Sequence, residues 1–170
     1  MRWIKSFVIA LNVCPFAKHV VENEGLDLVV LYPVNIETVM SDLMTAITHL
    51  ENDNKLETIL LVCGSKFLDQ FDFYLNICDQ AEEWMSQNGW DGIYQLATFH
   101  PNYCFSGVHS DDSSNYTNRS PYPMLHILRE RSIDQALVYY GDTSNIPDEN
   151  IANMHRIGVK KIHQILSEIM

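Results

Sequence analysis

Apolar residues along this chain follow two alternating patterns: recurrence every three or four positions, and short consecutive runs. Ile4, Phe7, Val8 and Leu11 fall on one helical stripe, and a second short helix is expected from Pro15 to about Asn23, ended by Gly25. Leu26 to Tyr32 places Leu28, Val29, Val30 and Leu31 side by side, the mark of a strand covered on both faces, and Pro33 stops it. Val39, Met40, Leu43, Met44, Ile47 and Leu50 return to helical spacing before the polar turn Glu51-Asn52-Asp53-Asn54. Thr58 to Cys63 is a second buried strand, closed by Gly64-Ser65. A long helix from about Leu68 to Gln87 turns Phe71, Tyr74, Leu75, Cys78, Ala81, Trp84 and Met85 inward, Asn88-Gly89 ends it, and Ile93 to Phe99 is the third strand.

A helix-sized segment separates each strand from the next. This predicts an α/β fold: a single domain, residues 1–170, with a three-stranded, mainly parallel βαβαβ core wrapped by N- and C-terminal helices. A thioredoxin-like or ferredoxin-like α+β arrangement is the alternative. Between His100 and Ser120 lies a polar loop of about twenty residues, longer than a compact domain carries without a purpose. After it the pattern predicts a helix over about Pro121 to Arg131, another opened by the capping box Ser132-Ile133-Asp134-Gln135, and a C-terminal helical region from Pro147 onward, divided by Gly158.

Composition narrows the classes of partner. The formal charge is −11 over 170 residues, and a nucleic acid or an anionic membrane surface would need clustered Lys and Arg that the chain lacks. No segment approaches the run of ~18 apolar residues expected of a membrane span. The start, Met1-Arg2-Trp3-Ile4-Lys5-Ser6, has two positive charges before an apolar stretch but no small-residue cleavage site, and reads as part of the fold. Cysteines at 14, 63, 78 and 104 show no close pairing, which fits neither a disulfide framework nor a Cys-x-x-Cys metal ribbon and points to a reducing cytoplasm.

Four segments carry a family resemblance: Leu11-Asn12-Val13-Cys14-Pro15-Phe16-Ala17, Phe99-His100-Pro101-Asn102-Tyr103-Cys104-Phe105, the run from Asn115 to Pro123, and Ile146-Pro147-Asp148-Glu149-Asn150-Ile151. In this order they resemble the bacterial and plastid family catalogued as domain of unknown function 1415, and the match spans nearly the whole chain. Position 104 varies in the family's His-Pro-x-Tyr-x-Phe motif. The resemblance implies no particular activity, so chemistry is read from the residues.

The run Asn115-Tyr116-Thr117-Asn118-Arg119-Ser120 crowds donors before the predicted helix. With Ser120 as N-cap and Pro121 at the first helical position, unpaired N–H groups beside the Arg119 fork would bind a small anionic molecule, a phosphate or carboxylate. Asn115, Thr117 and Asn118 would line this pocket or, equally, stabilise turns. Arg129 would add charge from the helix face that also carries Tyr122 and His126. His100 sits at a strand end, where ligands collect in α/β sheets, and would serve as general acid or base, as would His126.

Cys14, before Pro15 at a helix start, would be an optional nucleophile favoured as thiolate by the helix dipole. Cys14-Pro15-Phe16-Ala17 also resembles the opening of the active-site helix in glutaredoxins and omega-class glutathione transferases, in a monothiol form. No cofactor is expected. Zinc is the metal that His100, Cys104, His109 and His126 would suit, without a recognised ligand motif. Two functions follow: a small cytosolic enzyme acting on a phosphate- or carboxylate-bearing substrate, or a noncatalytic metabolite- or partner-binding protein, with a monothiol redox role as a variant.

Overall fold

The computed structural model describes residues 1–140 and 144–169, with the side chains of Tyr139 and Tyr140 outside that description. A π-helical segment Ile4–Ile9 is followed by α1 (Ala17–Glu22), β1 (Leu26–Leu31), α2 (Ile36–Asn52), β2 (Thr58–Cys63), α3 (Phe71–Gln87) and β3 (Tyr94–Phe99). After the long loop come β4 (Met124–Arg129), α4 (Glu130–Tyr140), α5 (Ile146–Ile157) and α6 (Val159–Ile169). Local chemistry sets several of these ends. Asn35 caps α2 reciprocally with Thr38: the Thr38 N–H reaches Asn35 Oδ1 at 2.9 Å and the Asn35 N–H reaches Thr38 Oγ1 at 3.3 Å. Gly158, at φ 75°, separates α5 from α6 as its freedom at positive φ allows.

The strands form one mixed sheet of order β1-β2-β4-β3. β1 and β2 are parallel, and β4 runs antiparallel to both of its neighbours, β2 and β3. The three strands expected from the sequence therefore do share a direction, but they do not form a three-stranded parallel core, because β4 inserts between β2 and β3.

That fourth strand is the main correction. The segment expected to be a helix, Pro121 to Arg131, is a bend followed by β4, and α4 begins at Glu130 rather than at the Ser132 capping box. In six residues with apolar side chains on both sides, a doubly covered strand and a helix have indistinguishable patterns. Leu125 and Ile127 face one layer while Met124 faces the other.

On the first face α2 and α3 pack over Ile59, Leu61 and Cys63 of β2, Leu125 and Ile127 of β4, and Tyr94 and Leu96 of β3. On the second face Trp3, Ile4, Phe7 and Val13 of the N-terminal segment join Met154 of α5 and Ile162 of α6 over Leu60, Val62 and Met124. Arg129, expected at an anion pocket, is buried. Its guanidinium donates to the carbonyls of Leu50 and, at 3.3 Å, Leu56, so it closes the C-terminal end of α2 against β4.

Candidate functional site

The four segments that carried the family resemblance meet at one end of the sheet, beyond β3 and before β4. Asn12, at φ 53°, takes the left-handed conformation that Asn tolerates better than most side chains and turns the chain out of the π-helical segment. The carbonyls exposed by that turn are taken by α5: Asn150 Nδ2 donates to Val13 O at 2.7 Å and Asn153 Nδ2 to Leu11 O at 2.8 Å. The other flank of α5 meets the loop, where His155 Nε2 lies 2.8 Å from Asp112 Oδ1. From α6, His163 Nε2 forms a hydrogen bond with the hydroxyl of the buried Tyr116.

The long loop holds its shape with its own side chains. Asp112 accepts from the Ser114 N–H at 2.8 Å and so caps the 3-10 turn Ser113–Thr117. These bonds and His155 hold its carboxyl down to about 2. Asn115 is wholly buried: its Oδ1 accepts from Phe105 N at 3.0 Å and its Nδ2 donates to His109 O at 2.9 Å. Thr117 Oγ1 donates to Ser114 O at 3.0 Å, and Asn118 Nδ2 to Thr98 O at 3.1 Å. The backbone closes the ring, with His100 N donating to Asn118 O at 3.2 Å and Ser120 N to His100 O at 3.4 Å.

Arg119 is turned onto this loop. Its Nε donates to Tyr103 O at 2.9 Å and its Nη2 to Ser110 O at 2.6 Å, while the guanidinium lies 4.7 Å from the centre of the Tyr116 ring. The helix start expected beside it is absent, since Ser120 and Pro121 lead into β4, and the buried Ser120 hydroxyl donates to Tyr122 O. The ready-made row of free N–H groups on which the anion pocket depended is therefore not built.

His100 lies at the end of β3 as the pattern required, but with no exposed surface. It is enclosed among Leu68, Phe71 and Tyr74, donating from Nε2 to Leu68 O at 3.0 Å and accepting the Asn102 N–H on Nδ1 at 3.0 Å. Burial pushes its pKa below the usual imidazole value. Both nitrogens are used in the neutral form, so a ligand in the expected cleft has no route to them.

Cys14 precedes a helix that opens only at Ala17, so it is not the N-cap. The amides of Phe16 and Ala17 do point at its sulfur and favour the thiolate, yet burial outweighs them and pushes the thiol up. Its neighbour Val13 belongs to the second-face core, whereas the His100 ring faces α3 on the first. His100 is thus enclosed against the opposite face from Val13, and it does not join Cys14 and Arg119 in the expected shared pocket.

His126 sits on β4, half-buried on the second face beside Phe99, and not on a helix with Arg129. Thr58 Oγ1 donates to Ile127 O at 2.6 Å and so presents its lone pair to His126 Nε2, also at 2.6 Å. That arrangement fixes the tautomer with the proton on Nε2. Burial holds the imidazole down at about 4, and Nδ1 has no partner among the described residues.

The ligand types that suited zinc are dispersed. His100 and His126 are engaged as described, Cys104 Sγ lies 3.3 Å from Val108 O, and His109 is exposed beside Asp111. Among the described residues no three His, Cys, Asp or Glu side chains are grouped to hold a metal ion. No helix among them is long and apolar enough to cross a membrane.

Sequence reasoning missed the Asp112–His155 and Tyr116–His163 contacts. Their separations of 43 and 47 residues leave no local signal, and only the placing of His155 and His163 on either side of the break at Gly158 was readable.

No curated protein and no solved structure matches the chain. The family model described as protein of unknown function, DUF1415, matches residues 1–164, and the chain belongs to that family.

Proposed function

We propose that this protein is a noncatalytic binding protein whose recognition surface is the ordered loop between β3 and β4 together with the flank of α5. One observation carries the reading: the side chains best suited to bind or transform a small anion, His100, Asn115 and Arg119, are spent on the chain's own carbonyl and amide groups. A long loop fastened at that many points has a built shape, and long loops with a built shape usually serve recognition. The exposed side chains along it and on the flank of α5, including His109, Asp111 and the Asp112-bound His155, face solvent, where a metabolite or a partner would meet them.

Thermal shifts of wild type, Arg119→Lys and Arg119→Ala, with and without phosphate, sulfate and small carboxylates, test this directly. Both variants should melt earlier than wild type without any ligand, because Arg119 ties Tyr103 to Ser110, and the anions should stabilise none of the three proteins. An anion-induced rise in wild type that disappears in both variants would restore the anion pocket.

A second reading, the small cytosolic enzyme acting on a phosphate- or carboxylate-bearing substrate, is favoured by His126, a neutral imidazole whose Nδ1 is open to accept a proton. For Cys14, as nucleophile or monothiol redox group, alkylation well below the ordinary thiol pH near ~8.5 would be required. Burial of the sulfur argues for the opposite outcome.

A further inference from the structure

The two outer strands of the sheet differ in how their free edges are treated. At β3 the chain covers its own edge: Tyr94 N donates to Trp90 O at 3.1 Å, and Thr98 O accepts Asn118 Nδ2 at 3.1 Å. Among the described residues nothing comparable occurs at β1. Gly25 O and Leu31 O face β2, accepting from Glu57 N and Gly64 N at 2.8 Å each. Along a strand in a parallel pair the direction of the backbone groups alternates, so Leu26, Leu28 and Val30 point theirs away from the sheet. Among the described residues those outward groups have no hydrogen-bond partner.

Proteins normally blunt such an edge with Lys, Pro, a bulge or a covering segment. β1 has none of these within its length, and the side chains at its end are apolar and exposed: Val30 at 50%, Tyr32 at 72% and Val34 at 74%. A bare edge of this composition is a template for another strand.

We propose that β1 pairs antiparallel with β1 of a second copy of this chain, across a twofold axis normal to the sheet at Val30. Two four-stranded sheets then become one continuous sheet. In this register Val30 lies opposite Val30, Leu28 opposite Tyr32 and Val29 opposite Leu31, so each apolar position meets an apolar one on the same face. Asp27, the only charge in the strand, falls opposite Pro33 at the far end and never meets its own copy. Symmetry supplies this match without a second evolved sequence. The charge of −11 on each copy opposes the approach, so salt should strengthen the pairing. The inference stands apart from the proposed recognition surface, which lies around α5 and the loop after β3.

Sedimentation equilibrium of the full chain from low to high micromolar concentration tests it. Wild type should form a dimer that tightens with added salt, and Val30→Lys, which sets two like charges face to face, should weaken it by roughly tenfold or more. Gln95→Lys on the opposite edge should leave it unchanged. Amide exchange gives a readout independent of any variant: Leu28 and Val30 should become protected as concentration rises. A wild type that stays monomeric, a dimer indifferent to Val30→Lys in a variant that melts like wild type, or exchange at Leu28 and Val30 independent of concentration would each overturn the proposal.

Discussion

The face of the sheet under α2 and α3 and the end of the sheet where the loop meets α5 are held together by different physics. Leu43, Ile47, Leu50, Ile59, Ile77, Ala81 and Ile127 of the first region are wholly buried apolar side chains from distant parts of the chain. Its energy is spread over many small contacts, none of which specifies a partner by direction. The second region rests on directed bonds: Asn115 to Phe105 and His109, Asn150 to Val13, Asn153 to Leu11, His155 to Asp112 and His163 to Tyr116. The first region should therefore fail as a unit when a core atom is removed, and the second locally, one bond at a time.

The largest separation of the two comes from a cavity in the apolar region. Ile127→Ala, on one of the two inner strands and with no exposed surface, should lower unfolding free energy by about 2–5 kcal/mol in urea titration, with every spectroscopic probe shifting together. A loss confined to signals from the loop would show that the sheet core is not the cooperative unit.

Next in size is an acid effect at the boundary of the regions. His126 titrates near 4 in the folded protein against about 6.5 in the unfolded chain, so below pH 6.5 the unfolded state binds the proton more readily. Stability is then full above about pH 6.5 and falls as pH drops toward 4, by about 3 kcal/mol at most, and His100, shifted in the same direction, adds to the slope. His126→Gln should flatten that slope in denaturation curves measured at successive pH values. An unchanged slope would mean that the folded protein protonates His126 without cost.

Asn115→Ala probes the polar region, since it leaves the Phe105 amide and the His109 carbonyl without their partner. The expected cost is about 1–3 kcal/mol. The more telling measure is amide exchange: the loop from Phe105 to Asp112 should exchange faster while β2 and β4 remain protected. Uniform acceleration across the sheet would erase the distinction between the regions.

The smallest effect is expected at Asp112. Its carboxyl, held at about 2, stabilises the fold above the ordinary carboxylate pKa near ~3.9 and loses that contribution as pH falls from about 4 to about 2. Asp112→Asn should lower stability slightly at neutral pH and show a shallower acid slope in that window, the two proteins converging near pH 2, and the difference is small because the pair with His155 is partly exposed and screened. A variant slope equal to wild type would remove the Asp112 contact from the fastening of α5.

By itself the sequence determined where β1, α2, β2, α3 and β3 lie, the break at Gly158 and most of the side chains that α2 and α3 bring to the first-face core. Each of these depends on periodicity within one segment or on a local stop such as Pro33 or Asn88-Gly89. The position of His100 at a strand end was equally legible. Tertiary structure alone decided that Met124 to Arg129 is a strand, because the segment's apolar pattern fits a helix too, and only the slot between β2 and β3, with its unpaired backbone groups on both sides, selects the extended form. It also decided what the polar residues do. Arg119, Asn115, His100 and Arg129 are donors in any fold, but whether a donor faces a ligand or a carbonyl of its own chain depends on which carbonyls folding leaves unpaired nearby. Those at Leu68 and Leu50 are brought near by contacts across the fold, and those at Tyr103, Ser110 and His109 by the irregular path of one loop, neither of which a periodic pattern records.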